Sequence, residues 1–166
     1  WADRNNLTGT LDVSGLTGLG GQCAVYSNPN LTKILNPVST TPFSMYWVFD
    51  CDLTGTLDLT TLTQLGGTFY AHENSNLTQI LNPVSSQTFT YYYANDCSLN
   101  GTLDVSGLTG LGGRFNVGNN SNLTKILNPV SSQTFLSYSA ILCDLTGIID
   151  VSGLTGLGGS FRVDRN

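Results

Sequence analysis

A 46-residue internal repeat constrains this chain more than any other feature. Leu7, Leu53, Leu99 and Leu145 open the same phrase: LTGTLDVSGLTGLGG, LTGTLDLTTLTQLGG, LNGTLDVSGLTGLGG and LTGIIDVSGLTGLGG. A second phrase lies between them: NLTKILNPVS from Asn30, NLTQILNPVSSQTF from Asn76 and NLTKILNPVSSQTF from Asn122. The 166 residues hold units 7–52, 53–98 and 99–144 and the start of a fourth, 145–166. Each unit divides again, into a coil A of 24 residues (Leu7 to Leu31) and a coil B of 22 (Leu31 to Leu53). A unit this short cannot bury its apolar face alone, so successive coils must stack into one continuous core. The expectation is a single repeat array over 1–166, without separate domains, that reads as a segment of a longer one.

Side-chain alternation sorts the coils. A strand sends neighbouring side chains to opposite faces. In coil A the pairs Cys23/Val25, Phe69/Ala71, Phe115/Val117 and Phe161/Val163 point inward. In coil B the pairs are Tyr46/Val48, Tyr92/Ala94 and Tyr138/Ala140. Asn28, Asn74, Asn120 and Asn166 close the coil A strands, where a buried amide can satisfy backbone groups. Cys51, Cys97 and Cys143 take that place in coil B. The return path, through Pro37, Pro83 and Pro129, has no helical period. Short strands, turns or 3₁₀ segments are expected there, and TLDV from Thr10 can form a second strand layer. The glycine pairs, such as Gly66-Gly67, read as turn residues.

Coil B reads Phe89-x-x-Tyr92-x-Ala94-x-x-Cys97-x-Leu99, and coil A reads Phe115-x-Val117-x-x-Asn120-x-Asn122-Leu123. This frame resembles the leucine-rich repeat, L-x-x-L-x-L-x-x-N/C-x-L, over essentially the whole chain. Aromatic residues and Ala replace many of the consensus leucines. The resemblance implies an all-β, parallel solenoid of about seven coils, with little or no α-helix, of the kind found on bacterial surfaces.

Composition removes several function classes. Charged residues are 10% of the chain, and six Lys+Arg leave a net charge of −5. A nucleic-acid binder needs a basic stripe, so none is expected as partner. No apolar run approaches the ~20 residues that would span a bilayer, so membrane insertion is not expected. Neighbouring column cysteines lie about two coil spacings apart, ~9.6 Å, beyond the ~7 Å a disulfide allows. Four free thiols follow. Low charge, Asn/Thr/Gly richness and sequons such as Asn30-Leu31-Thr32 lean towards an extracellular or cell-surface location, with bacterial surface arrays as the nearest analogy.

The differences between units are concentrated on one face of one sheet. Framework phrases scarcely change, whereas the outward strand positions change almost completely. Candidate binding residues are therefore Tyr26, Met45, Trp47, Phe49, Tyr70, His72, Tyr91, Tyr93, Arg114, Asn116, Leu136, Ile141 and Arg162. Aromatics with a polar handle, and arginine, are the side chains that anchor interfaces. A protein or glycan ligand suits this set.

No catalytic constellation accompanies it. The single histidine, His72, has only Glu73 beside it, and no nucleophile has an activating partner. Successive aspartates of the column Asp12, Asp58, Asp104 and Asp150 stand too far apart to share a cation, so neither metal nor cofactor is expected. Thr8, Thr54 and Thr146 form a partial ladder of the kind that binds ice, but Asn100 interrupts it. The reading is a non-enzymatic recognition or adhesion module. The alternative is a structural segment of a filament or surface layer that self-associates end to end.

Overall fold

A computed structural model describes residues Trp1–Asn166. In chain order the strands are β1 (Thr8–Asp12), β2 (Gly21–Ala24), β3 (Asn30–Leu35), β4 (Phe43–Trp47), β5 (Gly55–Asp58), β6 (Leu65–Tyr70) and β7 (Leu77–Leu81). They continue with β8 (Phe89–Tyr93), β9 (Asn100–Asp104), β10 (Gly113–Asn116), β11 (Asn122–Leu127), β12 (Phe135–Ser139) and β13 (Leu157–Arg162). One strand from each coil joins a seven-stranded sheet in the order β2-β4-β6-β8-β10-β12-β13. Every pairing in it is parallel. The molecule is an all-β parallel solenoid of about seven coils, with no helix of any kind.

A second strand layer exists, but it is broken into pairs. β1 pairs with β3, β5 with β7 and β9 with β11. The fourth copy of the phrase, LTGIID, makes no strand. No coil follows it within these residues to bring a partner. Near-identical sequence with and without a partner shows that pairing, not local propensity, makes this strand.

Alternation has the expected phase. Phe69, Ala71, Phe115, Val117, Tyr46, Val48, Tyr92, Ala94, Tyr138 and Ala140 are fully buried. Only the terminal coils relax this, with Cys23 half-buried and Phe161 exposed. The inward rings form one column, Tyr46–Phe69–Tyr92–Phe115–Tyr138–Phe161, with neighbouring centroids 6.0, 4.8, 5.4, 4.8 and 5.2 Å apart. A buried phenol needs a partner. Tyr46, Tyr92 and Tyr138 donate their hydroxyls to Asn36, Asn82 and Asn128 Oδ1 at 2.8, 3.1 and 3.1 Å.

Two polar ladders tie the coils together. In the first, Asn and Cys alternate, and each reaches a carbonyl of the preceding coil. Cys51 Sγ donates to Val25 O, Asn74 Nδ2 to Val48 O, Cys97 to Ala71 O, Asn120 to Ala94 O and Cys143 to Val117 O, all at 2.9–3.4 Å. Asn74 also donates to Ala71 O (3.0 Å), and its Oδ1 accepts from the Leu53 N–H (3.1 Å). The second ladder is serine. Ser39, Ser85 and Ser131 are buried, donate to Leu19, Leu65 and Leu111 carbonyls at 2.6–2.8 Å, and accept from the backbone N–H two residues on.

The glycine pairs are not ordinary turn residues. Gly21, Gly67 and Gly113 sit inside the large sheet, where the register slips by one residue against the neighbouring strand. Gly67 has φ +64°, and a Cβ on it would lie 2.1 Å from Ser44 O. This is a glycine bulge, which only a residue without a side chain can occupy. The Asp column does act as a turn acceptor: Asp12, Asp58, Asp104 and Asp150 each accept from the N–H two residues on at 2.9 Å. Hydrogen bonds from the Ser14 and Ser152 hydroxyls and N–H groups hold Asp12 and Asp150 below the usual carboxylate range.

All four cysteines are free. Burial pushes the Cys23 thiol up to about 11 and Cys97 up to about 12, and raises Cys51 and Cys143. Burial likewise raises Tyr46, Tyr92 and Tyr138, the last to about 12. For acids that are neutral when protonated, a raised native value means that the folded form holds its proton more tightly than the unfolded chain. Their contribution is fully present below the ordinary thiol value of 9.0 and is lost as pH rises through the native values.

Two outcomes follow. Urea midpoints will be flat from pH 7 to 8.5 and fall steadily above about 9, and native protein at pH 8 will not react with a thiol reagent until unfolded. Asn74→Ala, which strands the Val48 carbonyl and the Leu53 N–H and leaves Ala71 O with the Cys97 thiol alone, will lower unfolding free energy by about 2–4 kcal/mol, measured by urea denaturation.

Candidate recognition face

The outer surface of the seven-stranded sheet carries most of the residues that vary between units. Strand register arranges them in rows along the solenoid axis. One row is Gln22, Met45, Thr68, Tyr91, Arg114, Ser137 and Ser160. The next is Ala24, Trp47, Tyr70, Tyr93, Asn116, Ser139 and Arg162. Just past the strands runs Tyr26, Phe49, His72, Asn95, Gly118 and Ile141.

Six rings form a plate across the last two rows. Tyr26, Phe49 and His72 stack with centroids 4.6 and 4.7 Å apart and planes within 4° and 13°. Trp47, Tyr70 and Tyr93 stack at 5.3 Å, within 14° and 20°. Between the columns the rings meet edge to face, as in Phe49–Tyr70 at 6.1 Å and 71°. Tyr91 adds an edge contact to both Tyr70 and Tyr93. These offset and T-shaped arrangements are the favoured ones for aromatic quadrupoles. A coil spacing of about 4.8 Å sets them without strain. The indole N–H of Trp47 is held by Thr68 Oγ1 at 2.8 Å.

The two ends of the plate differ. The Arg4 guanidinium lies over the outer ring, 5.7 Å from the Tyr26 centroid. No cation or ring covers the far side of Tyr93, the last ring of its column. Beyond it the face changes character and opens into a shallow groove of about 480 Å³. Asn116, Ser137 and Ser139 form its floor, and Asn95, Asp96, Arg114, Asn119, Leu136, Ile141 and Arg162 surround it. Burial holds the Tyr70 and Tyr93 hydroxyls above the ordinary phenol value, and Arg114 pulls Tyr93 part of the way back. On the rim, Asn119 Nδ2 and Asn95 Nδ2 both donate to the Asp96 carboxylate. Asn95 Oδ1 is sealed from water and has no partner. An unmet acceptor of this kind costs about 1–3 kcal/mol.

Every expected binding residue lies on this surface. Tyr26, Met45, Trp47, Phe49, Tyr70, His72, Tyr91, Tyr93, Asn116 and Ile141 are half-buried, while Arg114, Leu136 and Arg162 are exposed. They do not form one site. The aromatic plate and the polar groove are neighbours that meet at Tyr93. Two other outward positions are not free: Ala24 and Gly118 are buried, because short residues in these rows are overshadowed by the larger side chains beside them. Arg4 lies before the first unit, so no repeat comparison could single it out. Asp96 and Asn119 belong to a column with left-handed backbone, φ 54° and 56°, which turns each strand end outward.

The face offers contact chemistry. His72 Nδ1 lies 3.4 Å from Glu73 Oε1, and its ring is stacked on Phe49. No three His, Cys, Asp or Glu side chains converge. No protein-family profile, curated protein or solved structure matches the chain.

Removing the centre of the plate tests its packing. Tyr70→Ala will destabilise the fold by about 1–2 kcal/mol, less than a full core truncation because the ring is half-exposed, and will flatten the near-UV circular dichroism. Ser137→Ala in the groove will stay within about 0.5 kcal/mol of the parent.

Proposed function

We propose that this sheet face is a recognition surface and that the chain is a non-enzymatic, extracellular recognition or adhesion module of the leucine-rich-repeat kind. One observation carries the reading: variation between otherwise near-identical units is concentrated in the rows that bear the aromatic plate and the groove, with few differences elsewhere, such as Thr61 and Gln64 in place of Gly15 and Gly18. Exposed residues drift in any protein, yet Val38, Val84 and Val130 are 68%, 79% and 79% exposed and do not vary. The rings are held by one another before any ligand arrives, so little side-chain freedom is lost on contact. A protein or a glycan is the partner class, and no covalent chemistry is assigned to the face.

The test is binding of labelled protein to whole cells and to arrays of extracellular proteins and glycans. Trp47→Ala and Tyr70→Ala will each weaken the strongest interaction at least about tenfold, while Val84→Thr on the opposite surface leaves it unchanged. Binding indifferent to both plate variants contradicts the reading.

A further inference from the structure

The open ring at the end of the plate identifies a distinct site. Within both aromatic columns the ring faces are covered by one another, so solvent meets mostly edges and polar tips. A sugar ring binds an aromatic side chain through its C–H face, against the electron-rich ring face. Phe49 and Tyr70, stacked on both sides, have no such face to give. At one end of the plate Arg4 occupies the outer face of Tyr26. Three rings, Trp47, His72 and Tyr93, are stacked on one face only, and of these Tyr93 is the one that lines the groove, with its inner face on Tyr70 at 5.3 Å and 20° and Asn116 next to it in register.

The groove supplies what a saccharide needs around that ring. Amide and hydroxyl groups of Asn116, Ser137 and Ser139 line its floor, matching a rim of sugar hydroxyls that both donate and accept. The volume of about 480 Å³ lies in the range of small-molecule sites and takes one or two sugar rings. It has too few apolar walls to seat the hydrophobic anchor of a peptide. Its charge is specific as well. Asp96, Arg114 and Arg162 line it; Asp96 is held by Asn95 and Asn119 and Arg162 is paired with Asp164, whereas Arg114 makes neither of the chain's two ion pairs. A guanidinium left unpaired beside a ligand groove fits a carboxylate, with two parallel N–H donors.

We infer that the groove between Tyr93 and Arg162 binds an acidic saccharide, with one pyranose ring on the open face of Tyr93 and its carboxylate on Arg114. The inference rests on the recognition reading of the sheet face, and it divides that face in two: a plate of ring edges suited to a protein surface, and a single sugar subsite beyond it.

The experiment is titration of the intact 166-residue protein with trigalacturonate and with sialyllactose, followed by calorimetry and by amide NMR shifts. At least one will bind with a Kd below about 1 mM, shifting the amides of Tyr93, Asn116 and Ser139. Tyr93→Ala and Arg114→Gln will each weaken it about tenfold. Tyr93→Phe, which keeps the ring face, and Val84→Thr, on the opposite surface, will stay within about twofold. Raising salt will weaken binding. The inference is overturned if neither acidic sugar binds at ~10 mM. Equal binding of neutral maltotriose, or a Glu-rich peptide taking the same site in their place, also overturns it. In each such case a partner still lost on Trp47→Ala leaves the wider recognition reading standing.

Discussion

Everything in this molecule depends on each coil satisfying the backbone of the one before it. The ladder of alternating Asn and Cys is where that requirement is tightest. Each member reaches a carbonyl 26 residues earlier, one coil down, so the same bond recurs at every turn from Cys51 to Cys143. A buried carbonyl or N–H without a partner is expensive. One altered member therefore leaves a neighbour's groups unmet as well as its own. Residues in this position, in the serine ladder and at the glycine bulges cannot change singly. Outward residues of the large sheet carry no such obligation.

That asymmetry explains how constancy and variety coexist in one chain. The framework transmits register along the axis, and the inner aromatic column and leucine rows fill the space it encloses. The sheet surface is then a set of parallel rows with a spacing of about 4.8 Å, close to the natural stacking distance of rings. Rings placed in successive coils of one row will stack almost regardless of which rings they are, as Trp47, Tyr70 and Tyr93 do. Where the rings stop, at Asn116, the same rows make a groove. Plate and groove are two outcomes of one scaffold rule.

Much of this was legible from residue order alone. The 46-residue period implied stacking, and alternation put Phe69 inside and Tyr70 outside, Tyr92 inside and Tyr91 and Tyr93 outside. The cross-coil bonds were harder to read. Ser85 looks like any serine of a loop until the coil carrying Leu65 is stacked beneath it, 20 residues away in sequence. The glycine pairs carry a turn signature, and only the slipped register against Ser44 shows them to be bulges. The strand formed by LTGTLD depends on a partner more than 20 residues later, as its loss in LTGIID shows. The candidate surface was visible as a list of residues. Its division at Tyr93 was not, because ring planes and an uncapped ring face exist only once side chains are placed.

The central claim is the phase of that alternation, and three consecutive tyrosines test it. Nitration of the native protein with tetranitromethane, read residue by residue by mass spectrometry, should modify Tyr91 and Tyr93 while sparing Tyr92, which is fully buried together with Tyr46 and Tyr138. Unfolding in urea should make all of them equivalent. Native Tyr92 nitrated as fast as its two neighbours would mean that the sheet is phased otherwise, and the recognition face would not exist where it is drawn.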